Sequence, residues 1–374
     1  MQLVAYGAQD IYLTGNPQIT FFKVVYRRHT NFSMEAIEQT MNGSYSVGGR
    51  QTVTVSRNGD LINRMWIQQE ITASSSLQFN VVDPGYNQFD SVELEIGGQL
   101  IDKHYGHWLA AWAQLTEVNP TGETVAIGQP IATETWTLFQ KMALAGGVTG
   151  TSGVHSTASS HFIPLQFWFC RNPGLALPLI ALQYHEVKLY LNWNSVALSG
   201  TTPVTSVWCD YIYLDTDERR RFAQVSHEYL IEQVQYESHA TGNVNKDLNF
   251  NHPVKELVWT GGHNGAFLCT ALDDTYQLKL NGHDRFAARN FKYFTNAQVW
   301  QHHTGYGGVT AIDSIGVYSF ALKPEEHQPS GTCNFSRIDN AQLVQGTDAA
   351  IHVYAVNYNV LRIMSGMGGL AYSN

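Results

Sequence analysis

The sequence predicts an all-β chain in which two antiparallel sandwiches follow one another, joined by a short helix. Three observations support this prediction: apolar and polar residues alternate in many short runs, turn-forming residues separate the runs, and the two halves repeat one order of elements. The length of 374 residues exceeds what one ordinary hydrophobic core holds and suits two domains.

The alternation has a period of two residues, which is typical of strands with one buried face. It is strictest at residues 92–96, where Val, Leu and Ile fall on one face and two Glu on the other. It recurs at residues 52–55, 187–191 and 277–280. Gly, Asn, Pro and Ser interrupt the runs, at Asn58-Gly59, Gly97-Gly98, Asn172-Pro173-Gly174, Asn281-Gly282 and Pro329-Ser330-Gly331. Regular punctuation of this kind indicates sandwiches of antiparallel sheets.

The order of elements in the first half returns in the second, which favours an old duplication. Matching segments are residues 93–98 with 277–282, 162–169 with 316–322, 180–193 with 334–344, and 207–213 with 351–358. The loop at residues 119–160 has a shorter counterpart. We expect two eight-stranded sandwiches, each with a separate core, without a parallel sheet and with helices confined to short connectors.

The domain boundaries follow from the same patterns. Residues 1–25 precede the strands and indicate an extended arm, residues 26–214 form the first sandwich and residues 225–374 the second. Between them, residues 215–224 predict a short rigid helix, with Asp215 as N-cap and Glu218 as its acidic N3 partner. A second helix is predicted over His104 to Glu117, with two Trp on one face.

Composition favours broad protein–protein contact over nucleic-acid binding. Charged residues make up 14% of the chain and aromatic residues 12%, and packed interface centres are depleted of charge. The net charge is −9, and acidic residues directly precede the basic run Arg219-Arg220-Arg221. Non-specific nucleic-acid binding needs a basic surface. We therefore expect no direct contact with a genome, although an all-β enzyme could share this composition.

No catalytic, metal or cofactor site is expected. His104 and His107 are spaced so that a helix could bring them together, but surface or capping histidines explain them better than a metal. The run Gly366-Met367-Gly368-Gly369 ends too close to Asn374 to open the helix that a dinucleotide fingerprint needs. The acidic pairs Asp273-Asp274 and Glu325-Glu326 are typical of solvated turns.

The remaining features point to a protein made in a reducing compartment. The four cysteines, at positions 170, 209, 269 and 333, are far apart and predict free thiols. The first twelve residues lack the basic start of a secretory signal. The longest apolar run, residues 175–182, is interrupted by Pro178 and is too short for a membrane helix. We expect a soluble protein made in the cytoplasm.

Several longer segments resemble the major capsid proteins of large double-stranded DNA viruses, and most closely those of chlorella-virus-like phycodnaviruses. The segments span the chain: residues 7–23 (GAQDIYLTGNPQITFFK), 26–32, 56–61, 93–105 (ELEIGGQLIDKHY), 173–190 (PGLALPLIALQYHEVKLY), 329–340 and 358–372 (YNVLRIMSGMGGLAY). The loops at residues 143–160 and 261–274 look short or different beside typical relatives.

This resemblance implies two tandem eight-stranded jelly rolls, a homotrimer with a pseudo-hexagonal outline, and an icosahedral shell. It further implies contacts with neighbouring capsomers and with minor capsid and penton proteins, an inner membrane beneath the shell that the chain does not cross, and assembly in the host cytoplasm. The arm would lie on the inner side. The alternative is a jelly-roll carbohydrate- or receptor-binding viral surface protein, with Trp300 and Tyr306 available to stack on sugars.

Overall fold

The structure is a computed structural model that describes residues 7–71, 78–79, 81–120, 125–126, 136–149, 159–195, 198–199, 203–261, 274–305 and 314–372. Most of its regular elements are strands. Residues 7–31 form an arm in which the helix Ile11–Thr14 is the one regular element, and nearly every side chain there is exposed.

Two five-stranded sheets build the first sandwich. The first sheet has the spatial order Phe32–Gln39, Val204–Leu214, Leu61–Ile71 and Ser159–Pro164, with Leu177–Pro178 also paired to Leu61–Ile71. The second sheet has the order Met41–Asn42, Arg50–Thr54, Val187–Trp193, Phe89–Ile96 and Gln99–Tyr105. A separate short pair joins Gln78–Phe79 to Leu198–Ser199.

The alternation in the sequence places the core of this sandwich. In the strand Val187–Trp193, every second side chain is buried. Leu189 lies opposite Val53 on one neighbouring strand and Leu94 on the other, and all three are fully buried. Burial of each such side chain stabilises the fold by about 1.5–3 kcal/mol.

The second sandwich repeats the architecture with a six-stranded and a five-stranded sheet. The six-stranded sheet has the order His227–His239, Ile351–Met364, Pro253–Gly261 and Ile315–Ser319, with Cys333–Asn334 beside Pro253–Gly261 and Met367–Leu370 beside Ile351–Met364. The other sheet has the order Asn245–Asp247, Ala341–Gln345, Thr275–Leu280 and His283–Asp284, with Arg289–Asn290 also paired to Thr275–Leu280.

Both sandwiches have the strand order of a jelly roll. If the eight principal strands of each half are numbered along the chain, one sheet has the order 1-8-3-6 and the other 2-7-4-5. The hairpin between the fourth and fifth strands also recurs, since Gly97-Gly98 and Asn281-Gly282 all have positive φ. Two consecutive positive φ values are typical of a type I′ turn. The predicted double jelly roll and its repeated order of elements are confirmed.

The helices are short and lie between strands. The α-helices are Ile11–Thr14, Pro84–Asn87, Gly106–Thr116, Leu138–Ala143, Trp168–Arg171, Thr216–Gln224 and Gln298–His302; the π-helix is Tyr293–Ala297; the 3-10 turns are Pro173–Leu175, Leu179–Ala181 and Phe335–Arg337. The predicted connector and the predicted Trp-rich helix are both present, the latter beginning two residues later than expected.

Three expectations about the elements are wrong. Strand Ser159–Pro164 ends before residues 168–169, which begin the helix Trp168–Arg171. The three consecutive side chains Phe167, Trp168 and Phe169 are all buried there, unlike the alternate burial of a strand with one exposed face. The expected long strand over residues 180–193 begins only at Val187. The short strands Val125–Ala126 and Val148–Thr149 pair in parallel, within a loop that sequence patterns did not resolve.

The expectation of separate cores is also wrong. The largest cluster of buried apolar side chains contains most of the first sandwich together with residues of the second, including Val258, Val317, Tyr354 and Val356. A smaller cluster lies wholly within the second sandwich. Among the described strands, each sheet nevertheless takes its strands from one half of the chain. The two halves therefore form separate hydrogen-bonded sheets, but buried side chains of both halves pack in one continuous cluster.

Candidate functional site at the junction of the sandwiches

The helix Gly106–Thr116 fills the junction between the two sandwiches. It follows the last strand of a sheet in the first sandwich, and its side chains are buried from Trp108 to Leu115. The ring of Trp108 lies 5.3 Å from that of Tyr354 in the second sandwich and 5.4 Å from that of Trp112. A helix that is apolar around its whole circumference is one that packs on both sides. It joins the two cores.

The strand that precedes this helix is tied to the first strand of the second sandwich. The Tyr105 and Tyr236 rings have centroids 4.2 Å apart. The side-chain amide of Gln233 donates a hydrogen bond to the Ile101 carbonyl, and the Val234 N–H donates to the Asp102 carboxylate at 3.3 Å. These hydrogen bonds and the contact between the two tilted rings together fix the lateral position of one sandwich against the other.

A buried carboxylate, that of Glu232, collects cations from both halves. The Glu232 oxygens lie 2.8 Å from the Arg171 guanidinium of the first sandwich and 2.8 Å from the Lys255 ammonium of the second. The His327 ring lies 3.4 Å away. Burial raises the pKa of Glu232, but Arg171, His327 and Lys255 outweigh it and hold that pKa at about 2. The carboxylate therefore stays charged at any physiological pH.

A second buried charge is on His303, a residue of the second sandwich that lies beside the C-terminal end of the helix Gly106–Thr116. The His303 ring is 3.0 Å from both the Glu256 and the Glu325 carboxylate, and it meets Trp112 edge-on. Burial lowers the pKa of His303, but the two carboxylates outweigh it and raise that pKa to about 9. His303 is therefore an imidazolium with a carboxylate on each side. It stabilises the second sandwich at the place where Trp112 of the first sandwich packs against it.

The C-terminal hairpin clasps the first sandwich at a third place. The Tyr184 N–H donates to the Gly366 carbonyl at 3.0 Å, and the Leu370 N–H donates to the Gln99 side-chain oxygen at 3.3 Å. Gly366 has φ +80°, and a Cβ there would come within 2.6 Å of the Tyr184 ring. Both the turn and the close approach require glycine at this position.

The connector helix is fastened to the first sandwich as well. Asp215 caps it by accepting a hydrogen bond from the Thr216 N–H. Arg219, within the basic run, lies 3.0 Å from the buried Asp60 carboxylate, and Phe222 packs against a small apolar cluster that includes Ile212. Arg219 of the basic run is therefore charge-paired, but with Asp60 rather than with the acidic residues that precede the run, and the connector is packed rather than free to swing.

The two histidines considered as metal ligands, His104 and His107, lie apart from each other, and each packs against another ring. His104 is buried at 2.8 Å from Asp102 and stacks on Phe167, whereas His107 faces His352 with ring centroids 5.4 Å apart. Over the described part of the chain, no group of three or more His, Cys, Asp or Glu side chains could hold a metal ion. The expected absence of a metal site at the two histidines stays a prediction.

The other candidates are likewise explained by packing. Residues 367–370 form a strand, so no dinucleotide-binding helix follows Gly366. The expectation that the acidic pairs lie in solvated turns is wrong for Asp274, which is buried, and for Glu325, which binds the buried His303. Glu326 is exposed and lies 2.8 Å from Lys323, and Asp273 lies outside the described residues. Three cysteines are free thiols as predicted, and Cys269 is outside the described residues.

The buried charges at the junction of the two sandwiches were not predicted from the sequence. Lys255 and Glu256 are both fully buried, in the middle of the strand Pro253–Gly261. The signal was present: two charged residues interrupt an otherwise apolar run, and charges are almost never fully buried unless paired. Their partners come from distant parts of the chain, so sequence spacing could not identify them.

No helix of the described residues is long and apolar enough to cross a lipid bilayer.

Two family profiles match the chain. The one described as "Major capsid protein N-terminus" matches residues 20–215, and the one described as "Large eukaryotic DNA virus major capsid protein" matches residues 218–265 and 270–369. The two matches meet at the connector helix.

Relatives with assigned names agree over the whole length. A "Major capsid protein" of Pyramimonas orientalis virus is 53% identical, covering 100% of this chain and 99% of the relative. One of Paramecium bursaria Chlorella virus 1 is 42% identical with the same coverage. That second alignment extends over 454 positions, against 374 residues here, so the relative has additional residues, as expected if loops of this chain are short. The two loops concerned lie largely outside the described residues.

Solved structures give the same result. The chain matches the quasi-atomic description of the PBCV-1 virus capsid with a TM-score of 0.79 and 38% identity, covering 95% of this chain and 100% of the other. The Faustovirus major capsid protein matches with a TM-score of 0.68 at 12% identity, which shows a shared fold alone. The resemblance seen in the sequence is confirmed: the chain belongs to the major capsid proteins of large eukaryotic DNA viruses.

Proposed function

We propose that this major capsid protein forms a closed homotrimer with a pseudo-hexagonal outline, and that such trimers tile an icosahedral shell. The observation that carries the proposal is the presence of two jelly rolls with one strand order in a single chain. Three copies would present six similar sandwiches, and closed rotational symmetry satisfies broad contacts without leaving open ends.

The packed junction supports this arrangement. Six sandwiches can alternate around a ring only if the two within each chain keep a fixed relation. The junction helix, the Glu232 cluster, the C-terminal hairpin and the connector hold that relation at four places.

The arm is proposed to contact other proteins of the particle rather than the body of its own chain. Nine of its apolar side chains are at least 69% exposed: Ile11, Tyr12, Leu13, Ile19, Phe21, Phe22, Val24, Val25 and Tyr26. Soluble proteins rarely leave so many adjacent apolar groups in water. We assign the arm to the underside of the capsomer, against neighbouring capsomers or minor capsid and penton proteins, above an inner membrane that the chain does not enter.

The same proposal includes no enzymatic activity, no cofactor and no direct contact with the genome. The net charge of −9 disfavours phosphate binding, and within the basic run Arg219 is paired with the buried Asp60. Assembly would take place in the host cytoplasm. The alternative role in carbohydrate or receptor binding is less favoured, because relatives along the full chain are named major capsid proteins; Trp300 is exposed as that role would need, and Tyr306 lies outside the described residues.

Light scattering of the purified protein tests the proposal. We expect the mass of three chains, and images of negatively stained particles should show a six-lobed outline with three-fold symmetry. A stable monomer or dimer at micromolar concentration would contradict it.

Stoichiometric zinc in a metal analysis, lost on His104→Ala substitution, would contradict the absence of a metal site.

A further inference from the structure

The carboxyl group of Asp83 is buried in the first sandwich and has no part in the proposed function. Its side chain is fully buried, directly before the helix Pro84–Asn87. The backbone of Asp83 is left-handed, with φ 46° and ψ 58°, and its carboxylate does not cap the helix that follows. The carboxylate instead contacts residues 144–148, which follow the helix Leu138–Ala143.

Three neutral donors bind this carboxylate. The Gly147 and Val148 N–H groups donate to its Oδ1 at 2.8 Å and 2.7 Å. The side-chain amide of Gln114, a buried residue of the junction helix, donates to its Oδ2. Asp83 therefore connects the segment 144–148 to the helix that joins the two sandwiches.

The backbone of the same turn holds the segment as well. The Asp83 N–H donates to the Val148 carbonyl at 2.6 Å, and the Gly85 N–H donates to the Leu144 carbonyl at 3.0 Å. The approach is so close that a Cβ at Gly85 would overlap the Ala143 carbonyl oxygen. The segment is thus attached to the turn through two backbone hydrogen bonds and through the carboxylate.

The negative charge of Asp83 is not balanced by a cation. Among the described residues, no Lys, Arg or His forms an ion pair with this carboxylate, as the groups that act on its pKa also show. Burial raises that pKa, the three donors lower it, and burial prevails, so that the pKa of Asp83 is about 6 against an ordinary 3.8. A charged carboxylate held away from water by neutral donors is therefore a costly form of this site.

Few other titratable groups lie on the elements packed around Asp83. Tyr86, on the helix that follows, donates its O–H to the Pro164 carbonyl at 2.8 Å. His107 and Glu117 lie at opposite ends of the junction helix, and Lys141 on the helix Leu138–Ala143 is exposed. A change of charge at this site near neutral pH is therefore assigned to Asp83 itself.

Gln114 provides an acceptor for the protonated form of Asp83. Its buried side-chain oxygen has no hydrogen-bond partner in the part of the chain that the structure describes. Rotation of the amide by half a turn exchanges its oxygen and nitrogen, so a proton taken up from water on Asp83 Oδ2 would be donated to Gln114 Oε1. The two backbone N–H groups would keep Oδ1 as their acceptor. The site thus accommodates the proton without a change of backbone.

We propose that Asp83 is a proton-sensitive latch for the segment 144–148, which is closed most firmly when Asp83 is protonated and opens more readily when Asp83 is ionised. Opening lets water solvate the carboxylate, which the closed segment prevents. Because Gln114 belongs to the junction helix, the proton also acts on the contact between this segment and the junction. The inference goes beyond the proposed trimer and does not depend on it.

Acidification should accordingly stabilise the closed segment. In the closed state Asp83 keeps its proton up to about pH 6, whereas in the open state it loses the proton near its ordinary pKa of 3.8. The equilibrium constant for opening is lowest below the ordinary pKa and rises with pH until Asp83 is ionised in both states. Between about pH 5 and about pH 8, we expect a rise of about tenfold.

Hydrogen exchange of the full-length protein, followed by mass spectrometry of peptides from the segment 144–148, tests the inference. After correction for the intrinsic pH dependence of exchange, the wild type should show this tenfold rise in opening. Asp83→Asn keeps an acceptor and a donor at the site but cannot titrate, so its opening should not change with pH. The matched control Asp274→Asn alters another buried carboxylate, which accepts from the Thr275 and Thr347 N–H groups in the second sandwich, and it should retain the rise.

Two outcomes would overturn the latch. One is a wild-type protein in which opening of the segment 144–148 does not rise over this pH interval, a measurement that needs no substitution and so does not depend on the folding of a variant. The other is a rise that persists in Asp83→Asn, because the proton would then belong to another group. Either outcome leaves the proposed trimer standing, since the trimer is tested by the mass in solution.

Discussion

At the scale of single residues, the charges of the junction are the groups whose loss should matter most. Glu232 is 3% exposed and neutralises the fully buried Lys255 and the mostly buried Arg171. Glu232→Ala would leave both cations without their carboxylate, and removal of one partner from a buried pair costs about 3–5 kcal/mol. Denaturant unfolding should show a loss of that size.

The surface pair Arg362–Glu228 provides the control for this substitution. Its side chains are 51% and 59% exposed, at a nitrogen–oxygen distance of 2.8 Å that matches the buried pairs. Exposed pairs contribute about 0–1 kcal/mol. Glu228→Ala should therefore be almost neutral, and equal losses from the two variants would show that burial does not determine the contribution of these charges.

His303 predicts a pH dependence of stability. Its pKa is about 9 in the folded protein and about 6.5 in an unfolded chain. Because the folded state holds the proton more tightly, this stabilisation is complete below the unfolded pKa and is lost as the pH rises from about 6.5 to about 9. The stability advantage of wild type over His303→Gln should fall by about 3 kcal/mol across that interval. Unfolding curves at closely spaced pH values measure it, and an advantage that grows with pH would contradict the assignment.

At the scale of elements, the junction helix is the piece on which the packing of both halves depends. Trp108 is 2% exposed and touches side chains of both sandwiches. Trp108→Ala should cost about 3–5 kcal/mol, because it removes a large buried ring and leaves a cavity. Leu138→Ala, in another short helix but 80% exposed, should change stability by less than about 0.5 kcal/mol. Thermal unfolding of the two variants distinguishes a local surface role from a central one.

The elements also show what the sequence could and could not predict. Strict alternation at residues 187–191 and the Asn281-Gly282 turn were sufficient to place strands and hairpins, since these depend on neighbouring residues. The repeat of element order was visible because it preserves sequence order. The shared core was not visible, because an all-round apolar helix has the same pattern whether its outer face meets its own domain or another.

The same limit applies to the candidate site. The Glu232 cluster joins residues 171, 232, 255 and 327, which no motif connects. Buried ion pairs of this kind follow from the three-dimensional arrangement of the halves. The sequence shows no recognisable catalytic motif, so a chain without a catalytic site could be predicted from it. The positions of the buried charges at the junction became known only from the three-dimensional fold.

At the scale of the whole molecule, the arm should separate trimer formation from shell formation. Deletion of residues 1–20 removes exposed apolar groups, among them Ile11, Tyr12 and Leu13, that lie outside the buried clusters of the described residues. We expect the truncated protein to remain trimeric by light scattering and to assemble poorly into shells by electron microscopy. Replacement of the deleted segment by a Gly/Ser stretch of equal length controls for chain length. Monomers after truncation would instead assign the arm to the trimer contact.

The junction helix has a further consequence during synthesis of the chain. The first sandwich has all its principal strands by residue 214, but the outer face of its helix meets Tyr354 only after most of the second sandwich has been translated. At ribosomal rates, roughly 10–50 s separate the appearance of Trp108 from that of its partner. For that interval, the nascent chain displays an apolar surface that is later sealed by its own C-terminal half. A chain that stopped after the first sandwich would display it permanently and would be prone to aggregate.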